Sequence, residues 1–214
     1  MGIQTVADLV RSFTSFGNRP CVAFKTDFRT FRFSYQELYE HIIDDMVFLK
    51  QHKVRKGDRV LLWDPNSPRW VSAFFAAASV GAVAVPLDIR STPEMVRKIA
   101  KEAQPSFAFV GASMPRVNLS CPIHQLSPVW TIAAEVNNGM FIRRYIQRKL
   151  LSRYTNINFL SYNWNAGYVS EKKENLTGVK LKPSDLLEIV YTSGTTGKPK
   201  GVMHVNSAIL QEHM

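Results

Sequence analysis

Residues 59–90 read RVLLWDPNSPRWVSAFFAAASVGAVAVPLDIR, and this stretch decides the fold class. Arg59 to Trp63 is a short apolar run, predicted as a buried strand, and Pro68 to Val80 is predicted as a helix. The 18 residues from Trp70 to Leu87 carry no charge, barely the length needed to cross a bilayer. Ser72, Ser79, Gly81 and Pro86 interrupt them. The run therefore reads as a buried helix that breaks at Gly81 into a second buried strand, Ala82 to Pro86, rather than as a membrane span.

The same alternation extends in both directions. Downstream, Thr92-Pro93-Glu94 is a helix start with a cap, a proline at the first helical position and an acid in the first turn. Met95, Val96, Ile99, Ala100 and Ala103 form its inward face, Pro105 ends it, and Ser106 to Val110 is another short apolar strand. Upstream, Ser34-Tyr-Gln-Glu37 is a capping box ahead of a helix carrying Leu38, Ile42, Met46 and Leu49, which stops before Gly57-Asp58. Cys21 to Lys25 and Thr30 to Phe33 read as strands joined by a turn at Thr26-Asp27-Phe28. Met1 to Phe13 reads as an amphipathic helix with Ile3, Val6, Val10 and Phe13 on one face. Apolar strands alternating with helices of ten or more residues imply an α/β fold, a largely parallel sheet flanked by helices on both faces.

From Ala112 to Lys182 the pattern weakens. One helix is expected at Phe141 to Tyr154, and the polar stretch Ser161 to Thr177 reads as loop. The expected helix holds Arg143, Arg144, Arg148, Lys149 and Arg153 with no acid, and Phe141, Ile142, Tyr145, Ile146, Leu150 and Tyr154 can share a face. That is the pattern of peripheral membrane contact, set against the plainer reading of a solvated basic face.

Composition bounds the rest. Hydrophobic residues make up 45% of the 214 and charged residues 21%, which excludes collagenous, coiled-coil and wholly disordered chains. Lys and Arg number 27 against 17 Asp and Glu, so the net charge of +10 favours anionic partners. No zinc pattern, RNP-like strand or homeodomain-like helix supports nucleic acid as that partner. Cys21 and Cys121 are too few for a disulfide framework or zinc site, and His41, His52, His124, His204 and His213 show no ligand spacing, so no metal site is expected. The amino end lacks the pattern of a signal peptide, which makes the sequons at Asn118 and Asn175 chance matches and a cytoplasmic setting the expectation.

A final buried strand, Leu186 to Tyr191, leads directly into Thr192-Ser-Gly-Thr-Thr-Gly-Lys-Pro-Lys-Gly201. Glycines let backbone N–H groups close on phosphate oxygens, hydroxyls add donors, and Lys198 or Lys200 neutralises charge. A Walker loop would need glycine at Thr192 and a hydroxyl residue at Pro199, so a P-loop NTPase is rejected. The alternative is a glycine-rich surface turn, which placement after a buried strand disfavours.

Tyr191 to Val202 resembles the phosphate-binding signature of the adenylate-forming superfamily, which includes acyl-CoA synthetases, fatty acyl-AMP ligases, peptide-synthetase adenylation domains and luciferases. Phe33-Ser-Tyr-Gln-Glu-Leu38, Lys56-Gly-Asp-Arg-Val60 and Ala78 to Leu87 resemble earlier family motifs in the expected order, so the likeness runs from about Phe31 to Leu210. It implies that Thr192, Ser193, Gly194, Thr195, Thr196, Gly197 and Lys198 embrace the β- and γ-phosphates of ATP, with Lys200 supporting the loop or the phosphates. It also implies Mg2+ arriving with ATP, a carboxylic acid substrate, and CoA as second substrate. The family's usual Thr-His after the next strand is replaced by Val205-Asn206, which leaves His204 without an assigned role.

Family members continue for several hundred residues past this loop. The expected reading is therefore residues 1–214 as the N-terminal portion of an AMP-binding domain, lacking the adenine- and ribose-binding half and the C-terminal domain, inactive alone, and exposing apolar surface that the rest of the enzyme covers. No catalytic residue is assigned within it. The expected function is part of an acid-activating ligase of the acyl-CoA synthetase kind. The alternatives are an adenylating enzyme that loads a carrier protein, of the fatty acyl-AMP ligase or peptide-synthetase type, and a non-catalytic nucleotide- or surface-binding fragment.

Overall fold

The computed structural model describes residues 2–25, 30–126, 179–193 and 199–211. α1 (Val6–Ser12) begins at Thr5, whose hydroxyl accepts from Asp8 N while the Asp8 carboxylate accepts from Thr5 N at 2.9 Å. This capping box shortens the helix expected over Met1 to Phe13. An N-cap residue has extended backbone, so the helix cannot run back through Thr5, and Ile3 lies exposed while Val6, Ala7, Val10 and Phe13 are buried. A 3-10 turn, Phe13–Ser15, follows.

β1 (Pro20–Lys25) and β2 (Thr30–Ser34) pair antiparallel as a separate two-stranded sheet; the turn expected at 26–28 lies outside the described residues. α2 (Tyr35–Gln51) opens with the Ser34/Glu37 capping box, Glu37 Oε2 accepting from Ser34 N at 2.8 Å, and it buries Leu38, Ile42, Met46 and Leu49.

The 59–90 stretch folds as its residue order predicts. β3 (Arg59–Trp63) leads to α3 (Pro68–Ser79), capped by Ser67, and on to β4 (Val83–Pro86). Gly81 makes the break. Its φ is +79°, a backbone conformation that favours glycine, and a Cβ there would stand 2.9 Å from Leu181 Cδ2. α4 (Pro93–Ala103) is capped by Thr92 and ends at Gln104 in the left-handed region. Arg59 reaches across to that end, donating from Nε to Ala103 O at 2.8 Å and from Nη2 to Gln104 O at 3.0 Å, which satisfies carbonyls the helix leaves open. β5 (Phe107–Gly111), β6 (Ile123–Leu126), β7 (Leu186–Ser193), β8 (Pro199–Val205) and α5 (Asn206–Gln211) complete the described elements.

Six strands form the main sheet in the order β6-β5-β3-β4-β7-β8. All neighbours are parallel except β8, which returns antiparallel to β7 at the edge. β6 falls in the stretch read as patternless. Its Ile123-His-Gln-Leu126 is too short and polar to signal a strand, and only Leu126 is buried, so pairing with β5 defines it.

Alternate residues of the strands serve two cores. Val60, Leu62, Ala84, Phe107 and Phe109 pack with Leu38, Ile42, Ala73 and Ala76 of α2 and α3. Leu61, Trp63, Val85, Ala108 and Val110 pack with Val96, Ile99 and Ala103 of α4. Helices on both faces account for strands that are apolar throughout. Between α2 and α3 lies a buried ionic contact, with Arg69 donating to both oxygens of Asp45 at 3.1 and 3.3 Å and Ser72 Oγ donating at 2.5 Å. Burial pushes the Asp45 carboxyl up, against the pull of Arg69 and Ser72.

No helix among the described residues is long and apolar enough to cross a membrane. The basic helix expected at 141–154, the loop expected at 161–177 and the Asn175 sequon lie outside the described residues.

Candidate phosphate-binding rim

In an open parallel sheet, ligands bind outside the carboxyl ends of the strands, where successive crossovers leave in opposite directions. Here α3 carries the chain from β3 to β4 over one face, and α4 carries it back past β3 to β5 over the other. β7 runs parallel to β4, with Ala84 beside Glu188, so its carboxyl end belongs to the same rim as those of β3, β4 and β5.

The hydroxyl- and lysine-rich motif enters and leaves at that rim. Within the hairpin Thr192 pairs with Lys200 and Ser193 with Pro199, and Thr192 and Lys200 are both exposed. Two of the residues expected to hold phosphate therefore stand directly opposite each other at the mouth of the loop. Gly194, Thr195, Thr196, Gly197 and Lys198 lie outside the described residues.

One level below, Tyr191 pairs with Gly201. A Cβ on Gly201 would stand 2.8 Å from Ile189 Cγ2 and 3.3 Å from Tyr191 Cζ, so the tyrosine ring lies over the bare glycine. Burial raises the Tyr191 phenol above its ordinary range, and the negative charge of Glu102 on α4 adds to this. His204 and Glu188 pair across the same hairpin, Nδ1 to Oε1 at 3.0 Å.

At the end of β3, Asp64 is packed against Gly111 of β5. A Cβ at Gly111 would stand 1.8 Å from Asp64 Oδ1, so the carboxyl occupies the space a side chain would need. Burial pushes this group up to about 7, against a hydrogen bond from Ser67 and the charge of Arg69. Ser67 at the same time accepts from Trp70 N at 3.1 Å as the cap of α3. Beside it Trp63 Nε1 donates to Asp88 O at 3.2 Å, and the exposed Arg90 bonds the Asp88 carboxylate and holds it below the usual range.

Elsewhere, burial pushes His41 and His124 down to about 4. Among the described residues no three His, Cys, Asp or Glu side chains converge as a metal site. Sequence reasoning singled out the Thr192–Lys200 stretch but missed the Asp64/Gly111 contact and the Tyr191 ring over Gly201. An acid directly after one apolar strand and a glycine closing another were the only signals of the first.

The fold and the rim define an open α/β domain whose β7–β8 hairpin stands at the carboxyl ends of the parallel strands. Comparison with known proteins makes this specific: residues 9–214 match the family model for AMP-binding enzymes, and the chain belongs to that family. It is 30% identical over 184 residues to the acetyl-coenzyme A synthetase of Rhizobium rhizogenes, covering 83% of this chain and 27% of that protein. Against the acetyl-coenzyme A synthetase of Bartonella henselae the figures are 29% over 186 residues, 84% and 27%. The chain thus spans about a quarter of the length of these curated relatives. In fold it resembles the fatty acyl-adenylate ligase from L. pneumophila in complex with acyl adenylate and pyrophosphate, with a TM-score of 0.69, 20% identity, and coverage of 98% of this chain and 32% of that one. It also resembles a Mycobacterium tuberculosis fatty acyl CoA synthetase, with a TM-score of 0.65, 21% identity, and coverage of 97% and 36%.

Proposed function

We propose that this chain is the N-terminal part of an AMP-binding domain in an ATP-dependent acid–thiol ligase. In the first step a carboxylate oxygen attacks the α-phosphorus of ATP, the bond to the β-phosphate oxygen breaks, and acyl-AMP and pyrophosphate result. A thiol sulfur then attacks the acyl carbon, losing its proton, and AMP departs with the bonding pair.

The carrying observation is the Thr192–Lys200 pair at the mouth of the 194–198 segment, on the ligand side of a sheet from the AMP-binding enzyme family. A carboxylate is a weak nucleophile toward phosphorus. Acceleration must come from alignment and from neutralising the departing pyrophosphate, which is work for donors and cations rather than for a general base. Thr192, Ser193, Gly194, Thr195, Thr196, Gly197 and Lys198 hold the β- and γ-phosphates in this reading, with Lys200 beside them. Mg2+ enters with ATP as the counter-ion of the phosphates.

CoA is the proposed acceptor, a reading supported by relatives named acetyl-coenzyme A synthetases. A carrier-protein thiol is the alternative. The test is hydroxamate trapping with a panel of carboxylic acids on the natural polypeptide that contains this chain, followed by assay with CoA. ATP-dependent hydroxamate and then acyl-CoA are expected. Hydroxamate without acyl-CoA points to a carrier protein, and no ATP-dependent product with any acid leaves the non-catalytic reading.

A further inference from the structure

The β7–β8 hairpin is an edge, and edges need something to hold their register. Val202 and Met203 on β8 are exposed, 47% and 68%, so burial of apolar side chains does little to choose the pairing there. A slip of one residue would turn Lys200 to the opposite face and separate it from Thr192. Glycine inside a strand weakens pairing further, because it has no side chain to pack, and an aromatic laid across it from the neighbouring strand restores the contact.

Tyr191 does this at Gly201. Its ring also packs against the α4-side core that contains Leu87 and Val96. α4 is itself seated by Val96, Ile99 and Ala103 and by the Arg59 bonds at its end. The stack therefore transmits the position of a well-packed helix to an edge hairpin.

We propose that Tyr191 is a positioning residue, whose ring over Gly201 and against the α4-side core holds the hairpin in the register that sets Thr192 opposite Lys200 and thereby orients both for the phosphates of ATP. This rests on the phosphate-binding reading above. The role needs no contact between Tyr191 and substrate, and Tyr191 takes no part in bond making.

The experiment compares Tyr191→Phe and Tyr191→Leu in the natural polypeptide. Tyr191→Leu, which removes the ring, is expected to raise KM for ATP about tenfold with a much smaller change in kcat, and Tyr191→Phe, which keeps the ring over Gly201, is expected to recover most of that loss. Amide hydrogen exchange across residues 199–205 is read in parallel and is expected to quicken about tenfold in Tyr191→Leu. An unchanged KM for ATP with quickened exchange would reduce Tyr191 to a structural residue, and unchanged exchange would remove even that. A Tyr191→Phe variant as impaired as Tyr191→Leu would break the proposed role of the ring. If the unsubstituted enzyme shows no ATP-dependent adenylation, the functional reading fails, while hydrogen exchange still decides whether Tyr191 holds the register.

Discussion

Val6 N donates to the side-chain oxygen of Asn206 at 2.9 Å, a bond between residues 200 positions apart. Val6 opens α1, so this is one of the helix's four N–H groups without an intrahelical acceptor, and it is buried. The Asn206 amide nitrogen in turn donates to Asp185 O at 3.1 Å. One side chain thus ties the amino-terminal helix to the turn before β7 and to the end of β8. Asn206→Ala is expected to cost about 1–3 kcal/mol by leaving the Val6 donor unpaired. Asn206→Asp keeps the acceptor for Val6 but sets a buried carboxylate oxygen against Asp185 O, so it should cost no less. Urea midpoints of the two variants check the order.

The Asp45–Arg69 contact is expected to behave as a buried pair. Removing one member by Asp45→Ala should cost about 3–5 kcal/mol, because Arg69 loses its carboxylate in a low-dielectric site. Replacing both with apolar residues, Asp45→Leu with Arg69→Met, should recover most of that loss. Chemical denaturation of the single and double variants is the measurement, and a double variant no better than the single would refute the electrostatic account.

Asp64 predicts a pH dependence of unusual direction. Its folded value of about 7 lies above the ordinary 3.8, so between these values the folded chain binds the extra proton and stability from this group falls as pH rises. His41 and His124, held down near 4, act oppositely, adding stability as pH rises toward 6.5. The difference in melting temperature between Asp64→Asn and the unsubstituted chain isolates the aspartate. It should shift in favour of Asp64→Asn from pH 5 to pH 8, and a flat difference would mean that Asp64 titrates normally.

Gly111→Ala is expected to destabilise by about 1–3 kcal/mol through overpacking against Asp64 Oδ1. Asp64→Ala in the same chain should relieve much of that cost, since the clash is with that side chain. Thermal melts of the single and double variants test this, and an additive double would place the clash elsewhere.

The phosphate-binding proposal predicts that Lys198→Ala combined with Thr195→Ala lowers ATP–pyrophosphate exchange about tenfold or more in the complete enzyme, without lowering its melting temperature. Unchanged exchange would mean that the phosphates are held elsewhere.

Much of the fold was legible because the stretches that build it are locally self-consistent. Ser34-Tyr-Gln-Glu37 and Thr92-Pro93-Glu94 carry their own helix starts, and the uncharged run through Gly81 carries its own break. What failed locally failed for a physical reason. Met1 to Phe13 has helical periodicity throughout, but Thr5 and Asp8 satisfy each other's backbone donors and begin the helix at Val6. Ile123 to Leu126 has no strand pattern of its own and is a strand only because β5 offers it a partner.

The candidate site divides along the same line. The amino-acid sequence by itself determined the α/β class and the glycine, hydroxyl and lysine make-up of Thr192 to Lys200, because periodicity, caps, glycines and lysines act within a few residues of one another. Only the tertiary structure decided that Thr192 faces Lys200, that Tyr191 covers Gly201, that Asp64 fills the space over Gly111, and that Asn206 caps a helix 200 residues away. Those relations depend on which strands become neighbours and in what register, and that is set by burying both faces of the sheet at once, a condition no short segment contains.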